Sequence, residues 1–152
     1  MSISASQVKE LREMSGVGMM ECKKALVETN GDLQEALDLL RANSSLKAEK
    51  KASRVAADGA VKVAETSSYV SLVEINSETD FAAKDSQFKD FTSSVADHLV
   101  STQIDSIDEL NEAFDSQRQT LIQSIGENIQ LRRLSTLKIS DGGSIGSYIH
   151  SD

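Results

Sequence analysis

Two acids and a phenylalanine stand where a strand-like run gives way to a helix-like one, in Glu78-Thr79-Asp80-Phe81-Ala82-Ala83-Lys84. Carboxylates at such a junction can ligate a hard cation or hold the first turn of a helix. Glu78, Asp80 and Asp85 match no calcium-loop spacing, so solvated or helix-start acids are the better account. Phe81 has two readings. It lies seven residues before Phe88 and can continue an apolar stripe with Phe91 and Val95, with Thr79 or Asp80 as an ordinary N-cap. Alternatively the ring is presented to a partner. Pattern alone leaves both open.

The other reactive residues give no catalytic set. His98 and His150 are far apart in sequence, and His98 beside Leu99 reads as a partly exposed structural histidine. Cys22, the single cysteine, falls on the apolar face of a short helix and reads as a small buried hydrophobe. A lone cysteine forms no internal disulfide and fits a reducing compartment. Gly16-Val17-Gly18 lacks the preceding strand and third glycine of a dinucleotide loop. Gly142-Gly143-Ser144-Ile145-Gly146 lacks the ending of a phosphate loop and reads as a hairpin turn. No nucleophile–base pair, metal ligand set or cofactor is expected, and the chain reads as no enzyme of covalent chemistry.

The elements that must position the junction follow from periodicity. Ser4-x-x-Gln7 is a capping-box pattern ahead of Ala5, Val8 and Leu11. Met19 to Thr29 forms a second helix with Cys22, Ala25 and Leu26 on one face. Asp32-x-x-Glu35 opens a third, with Leu33, Ala36, Leu37 and Leu40 at i, i+3, i+4 and i+7. These helices are too short to stand alone in water and must pack together. A basic run, Lys47 to Arg54, predicts a separate linking helix. Asp58-Gly59 reads as a turn, and residues 60–64 and 69–75 as a hairpin of two strands. Phe88, Phe91, Val95 and Leu99 make a helical stripe. Ser106-x-x-Glu109 opens another helix, which Gly126 ends. Ile129 to Ile139 predicts a third strand, and Ser147-Tyr148-Ile149-His150 the beginning of a fourth.

The predicted fold class is α+β: a three-helix module over 1–43, a basic linker helix over 44–57, and an antiparallel sheet with packed helices over 58–152. The net charge of −8 argues against direct nucleic-acid binding. It is unevenly spread, −2 over 1–43, +3 over 44–62 and −9 over 63–152, which marks a module boundary in the basic stretch. No apolar run approaches a membrane span, and the opening Met-Ser-Ile-Ser-Ala-Ser-Gln lacks signal-peptide character, so a cytoplasmic location is expected.

Six motifs in order then resemble bacterial translation elongation factor Ts. They are Val8-Lys9-Glu10-Leu11-Arg12; Gly18 to Leu26 with Asn30-Gly31-Asp32; Val55-Ala56-Ala57-Asp58-Gly59; Glu78-Thr79-Asp80-Phe81; Ile125-Gly126-Glu127-Asn128-Ile129 with Arg132-Arg133; and Gly146 to His150. The resemblance implies a ubiquitin-associated-like bundle followed by the first half of the family's core. It also implies guanine nucleotide exchange on elongation factor Tu. In the family, the segment matching Thr79, Asp80, Phe81 and Ala82 approaches the partner's nucleotide site and disturbs Mg²⁺ binding, and the phenylalanine inserts into the GTPase domain. The family more often has valine where Ala82 stands here. Arg12, Met19, Met20 and Lys23 match positions that dock on the GTPase domain, and Ile125 and Gly126 match a helix end that touches it. Two adjacent methionines cannot both face a small core, so at least one is expected at the surface, where methionine suits an adaptable interface.

Family members usually continue past the Tyr-Ile-His strand, so the core is expected to be incomplete at its C-terminal end. An open sheet edge would then invite a second copy to pair as a homodimer. The front bundle taken alone also resembles ubiquitin-associated domains, which bind ubiquitin, but that reading leaves the second domain without a role.

Overall fold

Ser4 opens the first helix as its spacing predicts. Its hydroxyl accepts from the Gln7 N–H at 3.2 Å, and the Gln7 side chain accepts from the Ser4 N–H at 3.0 Å. The helix α1 (Ala5–Ser15) stops at Gly16, whose φ of 69° lets its N–H reach the Arg12 carbonyl at 2.8 Å. Helix α2 (Met19–Glu28) follows, then a turn through Asn30 and Gly31, both at positive φ. Asp32 caps α3 (Leu33–Lys51) by accepting from the Glu35 N–H at 2.9 Å. These are elements of a computed structural model that describes residues 3–150.

The sequence predicts a third helix and then a separate linking helix, but α3 runs through both without a break. No glycine or proline interrupts residues 33–51, and Ala42, Leu46, Ala48 and the lysines are good helix formers. Lys50 and Lys51 in the last turn also suit the negative end of the helix dipole.

The chain forms two compact units. The first is the chain through Ser53 together with Gln119–Gly126; the second is Arg54–Arg118 and the chain from Glu127 onward. In the first, Val8, Leu11, Val17, Cys22, Ala25, Leu26, Ala36, Leu37 and Leu40 form the core. Cys22 is fully enclosed, its thiol directed at the Val17 carbonyl, as a small hydrophobe should be. Glu21 joins Gln123 at 2.7 Å and pairs with Lys47. Partial burial pulls the Glu21 carboxyl upward, but the Lys47 and Gln123 hydrogen bonds outweigh it and hold the group below its ordinary range.

The second unit is built on a three-stranded antiparallel sheet in the order β1 (Asp58–Glu65), β2 (Tyr69–Ser77), β3 (Gln130–Lys138). Helices α4 (Asp80–Lys84), α5 (Ser86–Thr102) and α6 (Ile107–Ile125) lie between the second and third strands in sequence. Helix α5 packs on β1 and β2 and buries Phe88, Phe91, Val95 and Leu99, the stripe read from the sequence. Phe91 meets Phe114 of α6 edge to face at 5.9 Å, and His98 packs against the same ring at 5.2 Å.

In the second unit two further expectations do not hold. Gly59 is part of β1 and not of a turn before it. Its φ is +135°, and a Cβ there would stand 2.2 Å from the Ile75 carbonyl oxygen, so the strand pairing is possible only with glycine. The Ser147-Tyr148-Ile149-His150 run forms no strand, although Asp141-Gly142 does turn the chain after β3. A short run with strand-favouring Tyr and Ile becomes a strand only when a neighbour satisfies its backbone groups, and no ladder reaches these residues.

Candidate functional site

The second unit carries Thr79, Asp80, Phe81 and Ala82. Strand β2 ends at Ser77, whose hydroxyl donates to the Thr79 carbonyl at 3.0 Å and turns the chain. Thr79 is extended, with φ −130° and ψ 158°, and its hydroxyl caps α4 by accepting from the Ala82 N–H at 3.4 Å. Asp85 closes α4 and at once caps α5, accepting from the Gln87 N–H at 2.8 Å. Within α4 successive side chains are turned by roughly 100°. Ala82 is therefore buried while Phe81 points away, 81% exposed. The core reading of Phe81 is thereby excluded: the apolar stripe begins at Phe88, which is fully buried.

Asp80 is exposed and accepts from the Lys84 ammonium at 2.7 Å, one helical turn on. That hydrogen bond holds the Asp80 carboxyl below the 3.8 of a free aspartate and raises Lys84 in return. The folded form therefore binds the Asp80 proton less tightly than the unfolded chain does. Its small contribution to stability is present above the ordinary carboxylate pKa and is lost as pH falls through the lower folded value. A carboxyl-detected NMR titration should place the Asp80 midpoint below that of a free aspartate, and Lys84→Met should raise it, the backbone N–H groups of the helix start still holding part of the shift. An unmoved midpoint in the variant would show that the pair does not form in solution.

Sequence reasoning missed what holds this segment. The Glu127 carboxylate accepts from the Glu78 and Thr79 N–H groups, both at 3.0 Å, and from the Thr79 hydroxyl at 2.6 Å. Glu78 reaches the other way, accepting from the Asn128 N–H at 2.7 Å with Arg54 at 3.5 Å. Both acids stood in quoted motifs, but spacing along the chain carries no sign that residues 49 apart meet.

The first unit carries Arg12, Met19, Met20, Lys23, Ile125 and Gly126. Met19 and Met20 open α2 and are both exposed, Met20 to 78%. Arg12 and Lys23 are exposed as well, and Lys23 shares a helix face with Met19. Met14, on α1, is a further exposed methionine that the motif reading did not single out. Ile125 is half-buried at the end of α6, and Gly126 follows at φ 86° with its N–H on the Ile122 carbonyl at 2.8 Å. Among the described residues, no group of three His, Cys, Asp or Glu side chains could hold a metal ion, and no helix is long and apolar enough to cross a membrane. In the second unit, α4 places an exposed apolar ring next to an exposed carboxylate.

Comparison with known proteins agrees with the motifs. A family described as elongation factor TS matches residues 78–152. Elongation factor Ts of Teredinibacter turnerae is 54% identical across all of this chain, which covers 53% of that relative. The Saccharophagus degradans protein of the same name is 51% identical, again across the whole chain and 53% of the relative. That of Campylobacter fetus is 46% identical, with 45% of the relative covered. The chain thus spans about half the length of the curated relatives it matches.

Proposed function

We propose, for a chain similar from end to end to bacterial elongation factor Ts, that it promotes GDP release from elongation factor Tu during translation elongation. The observation that carries this reading is the exposure of Phe81 on a helix whose neighbouring Ala82 is buried. A large apolar side chain held outward at a defined helix start costs hydration unless something covers it.

Exchange needs no bond chemistry. A factor that binds the nucleotide-free partner more tightly than the GDP-bound one must, by linkage, weaken nucleotide binding by the same free energy. Such couplings are typically about 1–3 kcal/mol, and burying one phenylalanine supplies roughly 1.5–3 kcal/mol. Phe81 would act as a wedge that the partner must open to enclose. Asp80 would bring negative charge towards the Mg²⁺ and phosphate site and disfavour the closed arrangement. The exposed methionines and the Arg12 and Lys23 cations would supply docking affinity away from the nucleotide. Either nucleotide could then rebind, and the prevailing GTP concentration would set the direction.

The test is the rate of GDP release from elongation factor Tu with and without this chain. Release that does not accelerate at any chain concentration would end the reading. Met19→Ala with Met20→Ala should raise the half-saturating concentration about tenfold and leave the rate at saturation nearly unchanged. A fall in the saturated rate instead would place the methionines in the opening step.

A further inference from the structure

We infer that Glu127 is a positioning residue for the Thr79-Asp80-Phe81 segment, acting through the backbone and hydroxyl of Thr79; the inference rests on the exchange reading above. Helix α4 has five residues, far too few to hold itself together in water. Its direction must be imposed from outside. At its far end Asp85 ties it to α5. At its near end, where Phe81 leaves, Ser77 turns the chain and Ala82 packs inward, and the Glu127 carboxylate is the hold on the Glu78 and Thr79 N–H groups.

One oxygen of that carboxylate takes both the Glu78 and Thr79 N–H groups at 3.0 Å; the other takes the Thr79 hydroxyl proton at 2.6 Å. Hydrogen bonds to an ionised acceptor are the strong kind. The hydroxyl bond does a second job. With its proton committed to Glu127, the Thr79 oxygen turns a lone pair towards the Ala82 N–H and completes the helix cap. Glu78 answers in kind, accepting from the Asn128 N–H at 2.7 Å beside Arg54. Asn128, buried, donates through its side chain to the Arg54 carbonyl at 2.8 Å. The two segments are clasped by an exchange of carboxylates, each holding the other's backbone. The clasp fixes the backbone angles of Glu78 and Thr79, and through them the direction in which the Phe81 ring emerges. Fixing that direction beforehand removes an ordering cost that would otherwise fall at the moment of wedging.

A residue that only stabilised the fold would lower the amount of active chain and nothing more. A positioning residue changes the rate at saturation. Two variants of the full chain separate these. Glu127→Ala removes all three bonds. Glu127→Gln keeps a carbonyl for the two N–H groups and loses the acceptor for the hydroxyl proton. Amide hydrogen exchange of Glu78 and Thr79 is followed in the free chain, with Val73 in the middle of β2 as the internal reference. GDP release from elongation factor Tu is followed at saturating chain.

Glu127→Ala should speed exchange at Glu78 and Thr79 by about tenfold or more while Val73 is unchanged. It should lower the saturated release rate by about tenfold with little change in half-saturating concentration, and Glu127→Gln should recover most of both losses. Unchanged exchange at Glu78 and Thr79 overturns the inference whatever the release assay reads. Faster exchange with an unaltered saturated rate overturns it too. If the Ala variant also loses protection at Val73, Glu127→Asp, which keeps the charge on a side chain one methylene too short to span the three bonds, carries the same two comparisons. A wild-type chain that fails to accelerate release refutes the exchange reading instead, and the amide measurement still decides whether Glu127 holds the segment.

Discussion

Phe81→Ala is expected to lower the saturated rate of GDP release from elongation factor Tu by about tenfold or more, and to leave the chain's own stability within about 0.5 kcal/mol. Both halves follow from the ring's position. It is 81% exposed, so its removal opens no cavity and strips almost no packing from α4. Enclosing it in a partner supplies roughly 1.5–3 kcal/mol, which corresponds to about 10–150-fold in a rate or equilibrium. If the pocket exists only in the opened partner, that energy is lost from the opening step and not from initial docking. Stopped-flow release of a fluorescent GDP at saturating chain reads the first half, and denaturant unfolding reads the second. A saturated rate equal to wild type would refute the wedge. A stability loss above about 1.5 kcal/mol would show that the ring packs on its own chain in solution.

Phe88→Ala should do the reverse. Seven residues on, this ring is completely enclosed beneath α5 on the sheet. Truncating an enclosed phenylalanine typically costs about 3–5 kcal/mol, transfer energy plus the cavity left behind. Against the roughly 5–15 kcal/mol of an ordinary domain, that is a large share of the whole. Urea unfolding should show a lower midpoint with an unchanged slope. A loss below about 1 kcal/mol would mean that the site collapses without a cavity, and that α5 is not fixed on β1 and β2 by this residue. The two phenylalanines thus offer a paired control: one variant defective at constant stability, the other destabilised for reasons unrelated to the partner.

What was legible in the sequence was whatever repeats along one element. The faces of α1, α2 and α5 follow from 3.6-residue periodicity, and the burial of Cys22 and Phe88 follows with them. The capping residues Ser4 and Asp32 were equally plain, because a cap and its helix are neighbours in the chain. Phe81 was ambiguous because a seven-residue separation from Phe88 is a helical repeat that can also arise by chance. Only the extended Thr79 and Asp85, which make α4 a separate short helix, take it out of register with Phe88. Gly59 misled for a related reason: Asp-Gly is a turn signal locally, but the need for glycine here comes from the Ile75 carbonyl across the sheet. The Glu78–Glu127 clasp had no local signature. Each acid is an unremarkable loop residue until the fold brings β2's end and β3's start together.

Asp85 joins two helices by one extended residue, φ −63° and ψ 139°. Mechanically, that makes α4 a stub welded to a seventeen-residue beam, and the beam rests on the sheet. On the α5 side, a push on a side chain of α4 meets no loop that could give, only that one residue. It passes through the single residue Asp85 into α5, which lies on β1 and β2, so the wedge proposed for Phe81 would push from a helix seated on the sheet.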